Sequence, residues 1–209
     1  MSDAKAANRP SFFKERIYPV LFMILVTVVF IAVVSGIYLS TEDLVLLNET
    51  LFQKKAVLFA AGIPVPESGI RVEEVYQARV REVQTSLGTA YEVVSDSGAR
   101  QGWVLTQTGP GLWGTIEAVV GYDIAGRNLT GVEFTKQNET PGLGARISET
   151  WFREQFRGKQ PPFTMVPEGS PSGPGEFDAI TGATRTSEGV LSIMNGSLDS
   201  ARTILKEVQ

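Results

Sequence analysis

From Ile17 to Thr41 the chain runs 25 residues without a charged side chain, and Val20 to Val34 is almost wholly apolar. A helix needs roughly 20 such residues to cross the hydrocarbon layer of a bilayer. Pro19 falls in the first turn, where a missing N–H costs little, and Gly36 is ordinary in membrane helices. The competing reading is a cleaved signal peptide, which has a shorter apolar core and a small-residue cleavage site. Ser35-Gly36-Ile37 is a poor cleavage site. The sequence thus predicts a retained, single-pass transmembrane helix over residues 17–41.

Charge sets its direction. Residues 1–16 hold Lys5, Arg9, Lys14 and Arg16 against Asp3 and Glu15. Of the 19 cationic and 23 anionic side chains in the chain, the remaining 15 and 21 lie beyond the span, and the first two, Glu42 and Asp43, are acidic. By the positive-inside rule residues 1–16 are expected in the cytoplasm and everything from Glu42 onward outside it. The net charge of −4 provides no basic field for a phosphate backbone, so nucleic acid is not an expected partner. The chain has neither Cys nor His. Thiol nucleophiles, thiolate metal sites, disulfides and imidazole bases are therefore excluded, and no metal site is expected. Redox or transfer chemistry here must use carboxylates, hydroxyls, backbone groups or a borrowed organic cofactor.

Periodicity organises the rest. Leu44, Leu47, Leu51 and Leu58 recur at helical spacing until Gly62, Pro64 and Pro66 stop the run. Residues 42–66 thus read as a helical extension and linker that packs on the domain or on a neighbouring subunit. A second helix is expected over about Val72 to Val83. From Thr89 the period becomes two, with strands at Tyr91–Val94, Trp103–Thr106, Ile116–Tyr122 and Leu129–Lys136 joined by tight turns. A short helix follows at Ser148–Phe156, then a Pro/Gly/Ser loop at Pro167–Gly175. A final helix spans about Thr186 to Val208, with Val190, Met194, Leu198, Ala201 and Leu205 inward. The fold class is α+β: one N-terminal transmembrane helix, then a single domain over 67–209 with an antiparallel sheet and flanking helices.

Three short segments carry chemistry. Asp178-Ala179-Ile180-Thr181-Gly182-Ala183-Thr184 leads straight into the final helix. Hydroxyls and a Gly at a helix start make an anion seat, although on composition alone Thr184, Thr186 or Ser187 as a simple cap is the favoured reading. Glu139-Thr140-Pro141-Gly142-Leu143-Gly144-Ala145 sets one Leu between two glycines, which suits a loop pressed on a flat ligand or an ordinary Pro-Gly turn. Gly109-Pro110-Gly111-Leu112-Trp113-Gly114 is either part of a site or a loop whose Trp completes the core.

Together, Asp178–Thr184 and Glu139–Gly144 closely resemble the flavin-attachment and flavin-contact motifs of the covalent FMN-binding subunits of respiratory ion pumps. These are the C subunit of the Na⁺-translocating NADH:quinone reductase (Nqr) and the G subunit of the Rnf electron transport complex. The resemblance extends from the anchor through Gly111-Leu112-Trp113 to the final helix, and Gln137 is closer to the Nqr pattern. It implies that a Mg²⁺-dependent flavin transferase attaches FMN to Thr184 as a phosphoester. It further implies that Asp178, Thr181, Gly182 and Ala183 belong to the segment the transferase recognises. Thr181, Gly182 and Ala183 would also line the cofactor site. Glu139, Thr140, Leu143 and Gly144 would lie at the isoalloxazine, with Leu112 and Trp113 nearby. The implied role is an electron carrier in a bacterial inner-membrane complex, without a substrate site of its own, partnered by the other membrane proteins of that complex. Two other readings stay open at this point: a tethered scaffold without flavin, and a stand-alone anchored flavoprotein reductase.

Overall fold

The structure, a computed structural model, describes residues 13–170 and 173–207. Residues 1–12 of the expected cytoplasmic segment, Pro171 and Ser172 of the expected loop, and Val208 of the expected last helix lie outside the described residues. After one π-helical turn at Phe13–Ile17, helix α1 runs without a break from Tyr18 to Ala60. Among the described residues it is the one helix long and apolar enough to cross a membrane. The chain divides into two compact units, Met1–Asn48 and Glu49–Gln209. In the first, the apolar side chains of α1 are exposed, Leu44 and Leu47 among them.

In the second unit α1 ends in a packed seat. Ala56, Val57, Leu58 and Ala60 are buried. Gly62, at φ +75°, closes the helix; its N–H meets the Phe59 carbonyl and that of Ile63 meets Leu58, the paired bonds of a glycine-terminated helix. Helix α2 (Gly69–Arg79) follows, starting three residues earlier and ending four residues earlier than the expected span. Val80 and Val83 belong instead to strand β1 (Val80–Thr85), because they pair with Val93 and Ala90 of β2 (Gly88–Val94).

Strands β3 (Arg100–Pro110), β4 (Thr115–Asp123) and β5 (Leu129–Lys136) complete a five-stranded antiparallel meander in sequence order. Alternation assigns its two faces. Val93, Val104 and Val119 face a core with Leu58, Val72 and Tyr76. Trp103, Leu105, Ala118, Val120 and Tyr122 point the other way, toward Val190, Met194 and Ile204. The last three come from α4 (Thr184–Glu207). A single 3-10 turn at Gly144–Ser148 leads into the short helix α3 (Thr150–Glu154). Phe152, Phe156, Phe163 and Phe177 then make edge-on and tilted ring contacts beneath the sheet. The Pro/Gly-rich stretch is bracketed by a parallel two-stranded ribbon, β6 (Thr164–Val166) with β7 (Glu176–Asp178). On α4 the inward positions include Ile193, Ser197 and Ile204, while Leu198 and Leu205 are only half-buried. Ser197 tolerates burial by bonding the Tyr122 hydroxyl at 2.6 Å.

Candidate functional site

The three segments singled out above meet at the start of α4. Two of them are built alike. In Thr140–Leu143 the Leu143 N–H reaches back to the Thr140 carbonyl at 3.1 Å, with Pro141 second and Gly142, at φ +74°, third. In Ile180–Ala183 the Ala183 N–H bonds the Ile180 carbonyl at 2.9 Å, with Gly182 at φ +79° in the third place. A glycine with positive φ at that position is what a type II turn requires. The two turns touch: a Cβ on Gly182 would lie 3.2 Å from Leu143 Cδ2.

Thr184 is the first residue of α4 and is exposed. Among the described residues its hydroxyl has no hydrogen-bond partner. The N–H groups of this first turn have no carbonyl of their own helix to meet, and the dipole there favours an anion. The neighbouring hydroxyls differ. Thr186 is buried at 1% exposure and donates to Glu139. Ser187 is fully buried, accepts from the Ile180 N–H at 3.0 Å and donates to the Ala183 carbonyl.

The two neighbouring loops carry large apolar side chains that are exposed. Trp113 is 68% exposed, Leu112 52% and Leu143 42%. Trp113 therefore does not complete the core. Its ring N–H donates to Thr140 Oγ1 and its backbone N–H to Glu139 Oε1, both at 3.1 Å. Leu112 borders a cleft of about 240 Å³ shared with Pro110, Arg185, Glu188 and Ser192. The cleft is narrow because α4 lies directly on the end of β3. A Cβ on Gly189 would stand 2.2 Å from the Pro110 carbonyl oxygen.

Glu139 lies under the loop rather than on its face, 5% exposed with both carboxylate oxygens engaged. Gly144 is buried beside it, and Thr140 is exposed. In the attachment segment Thr181 and Gly182 are exposed, Ala183 is buried, and Asp178 is half-buried, accepting from the Gly169 N–H at 2.9 Å. Glu168 was not foreseen. Its carboxylate accepts from the Thr181 N–H at 2.7 Å and pairs with Arg146 at 3.0 Å. The Thr181 N–H first, and Arg146 second, hold its pKa down at about 2. Nothing in its Pro-rich loop marks it in advance.

The residues present suit a flavin mononucleotide: a free hydroxyl at a helix start for a phosphate, and exposed, anchored apolar side chains for a flat ring. Comparison with known proteins points the same way. Residues 111–199 match the FMN-binding domain family. This stretch is similar to an FMN-binding domain. The C subunit of the Na⁺-translocating NADH-quinone reductase of Vibrio alginolyticus is 35% identical over 106 residues, 47% of this chain and 41% of that protein. The G subunit of the Na⁺-translocating ferredoxin:NAD⁺ oxidoreductase complex of Acetobacterium woodii is 38% identical over 104 residues, 48% of this chain and 49% of that protein. The chain thus spans less than half the length of these relatives. The crystal structure of the C subunit of the Na⁺-translocating NADH-quinone reductase from Parabacteroides distasonis superimposes with a TM-score of 0.64 at 24% identity. That match covers 78% of this chain and 96% of the other, and establishes a shared fold. The matched stretch holds Glu139–Ala145 and Asp178–Thr184 whole, begins at Gly111 within the third segment, and ends inside α4.

Proposed function

We propose that the chain is a membrane-anchored electron-carrier subunit that holds FMN covalently, through a phosphoester on Thr184, within an Nqr- or Rnf-type ion-translocating oxidoreductase. One observation carries this reading: the exposed Thr184 hydroxyl at the α4 N-terminus, without a hydrogen-bond partner among the described residues, follows by two residues the Gly182 turn on which Leu143 rests. The Leu143 loop in turn holds the exposed Trp113. A phosphodiester there keeps one negative charge at the positive end of the helix, worth roughly 0.3–1 kcal/mol where exposed. Bound FMN supplies electron transfer that no side chain of this chain can. Leu112, Trp113, Thr140 and Leu143 offer the ring apolar contact, Gly144 and Gly182 let the loops approach, and Glu139 supports them from below.

In this reading residues 17–41 cross the bacterial inner membrane with residues 1–16 in the cytoplasm, and 42–66 lead into the extracytoplasmic domain over 67–209. A Mg²⁺-dependent flavin transferase recognises Asp178–Thr184 during maturation, with Thr181, Gly182 and Thr184 the exposed part of its target in the folded chain. Other membrane proteins of the complex donate and accept the electrons, and the chain needs no substrate site. The names of the relatives support these assignments, as do the charge asymmetry and the length of α1.

The test is the mass of the intact chain made alongside a flavin transferase. Attached FMN adds about 438 Da, located to Thr184 by peptide mapping. Thr184→Ala should lose the increment while keeping its fold, and Thr184→Ser should keep part of it. An unmodified wild-type chain, or an increment surviving in the Ala variant, would refute the assignment. The buried Thr186 hydroxyl is closed as a substitute, and Thr181 is the residue to inspect.

A further inference from the structure

Glu139 is a buried carboxylate with no cation within ion-pair distance among the described residues. Taking a charge out of water is costly unless its hydrogen bonds are met. Here they are met from two separate elements. Oε1 accepts from the Trp113 N–H at 3.1 Å, and Oε2 accepts from the Thr186 hydroxyl in the first turn of α4. The positive end of α4 favours a carboxylate in this place. The chain also leaves room for nothing else. A Cβ on Gly111 would stand 2.4 Å from Oε1, and one on Gly144 would stand 2.8 Å from Oε2. One side chain therefore meets the Gly111–Trp113 loop, its own loop and α4.

What this joins is an exposed surface. Trp113, though 68% exposed, is held at its backbone by Glu139 and at its ring by Thr140. Gly144, pressed on the carboxylate, directly follows Leu143, which rests on Gly182 two residues ahead of Thr184. A large exposed side chain ordinarily samples several rotamers, so two fastenings on an exposed Trp signal a displayed position. We propose that Glu139 is the positioning residue of the flavin site, fixing Trp113 and Leu143 relative to Thr184. This rests on the reading of Thr184 as the FMN-bearing residue.

Glu139→Ala removes both acceptors. Glu139→Gln can still accept from the Trp113 N–H through Oε1 and donate from Nε2 to Thr186 Oγ1, so it is the rescuing variant. Thr186→Val keeps the shape and removes only the donor, and stands in should the Ala variant fail to fold. In the full-length chain without FMN, amide exchange over 111–114 and 140–146 should rise together by about ten- to a hundredfold in the Ala or Val variant. The Gln variant should stay close to wild type, and the β1–β2 hairpin should be unaffected in all. In the flavinylated chain, fluorescence anisotropy of the attached FMN should fall in the Ala or Val variant and be restored in the Gln variant. The proposal is overturned if the two loops loosen independently, if Gln loosens them as much as Ala, or if the flavin stays equally immobile in Ala and Val. Loops that loosen together in a chain whose wild type carries no FMN on Thr184 would instead refute the reading of Thr184 and leave the bracket standing.

Discussion

Helix α4 contains two glycines that isolate the effect of its close seat on β3. Gly196 is exposed, and a Cβ there would meet nothing within 4 Å. Gly189 is buried, and a Cβ there would stand 2.2 Å from the Pro110 carbonyl oxygen, where ordinary contact begins at 3.4 Å. Replacing either with Ala gains the same helix propensity, about 0.8–1 kcal/mol. At Gly189 the helix must also move by about 1 Å against a strand backbone that cannot yield, and overpacking of this kind costs about 1–3 kcal/mol. Gly196→Ala should therefore stabilise the chain, and Gly189→Ala should fall below it by about 1–3 kcal/mol, or roughly 3–9 °C for a domain of this size. Thermal unfolding in detergent followed by tryptophan fluorescence reads this directly, since Trp103, Trp113 and Trp151 all lie in the folded domain. Because Gly189 is little more than one turn beyond Thr184, the Ala variant should also be flavinylated more slowly. Equal, stabilising shifts from both variants would show that α4 does not bear on Pro110, and the cleft beside Leu112 would have to be redrawn.

A fragment over 49–209 should fold, whereas one over 62–209 should be degraded rapidly in limited proteolysis. The shorter piece lacks Ala56, Val57, Leu58 and Ala60, which fill one face of the sheet; equal resistance of the two would show that this end of α1 is dispensable. Lowering pH should release Thr181 from Glu168. The Glu168 carboxylate is held at about 2 against an ordinary 4.5, so its contribution is complete above pH 4.5 and is lost as pH falls toward 2. The Thr181 amide resonance should titrate with a midpoint near 2, and a midpoint near 4.5 would show that the hydrogen bond and ion pair do not hold in solution.

The sequence was most legible where one periodicity ruled. Period-two stretches bounded by tight turns located β2 to β5, because side chains alternate between the two faces of the sheet. It failed at Val80 and Val83, which are spaced as on a helix; only their pairing with Val93 and Ala90 makes them a strand. Thr184 and Leu143 could be picked out by motif and glycine spacing. The support beneath them could not, because Glu139 and Thr186 are 47 positions apart and no local rule connects a carboxylate in a turn with a hydroxyl in a helix. Glu168 was hidden for the same reason, 13 positions from the N–H it bonds. Gly189 did leave a trace, since a glycine inside a helix is costly without a reason, but the reason, the Pro110 carbonyl, belongs to another element.

The seat of α4 on β3 has a consequence for how the chain matures. Thr184 follows all five strands of the sheet in the order of synthesis, and the Trp113 and Leu143 loops are made before it. Until α4 emerges, those loops have neither the Thr186 hydroxyl nor the Gly182 turn to lean on. The surface these loops form with α4 is thus completed late in synthesis, once the helix that bears Thr184 has joined strands made before it. A modifying enzyme that reads the assembled surface would act on finished molecules alone, so that every cofactor it places goes to a chain able to hold it.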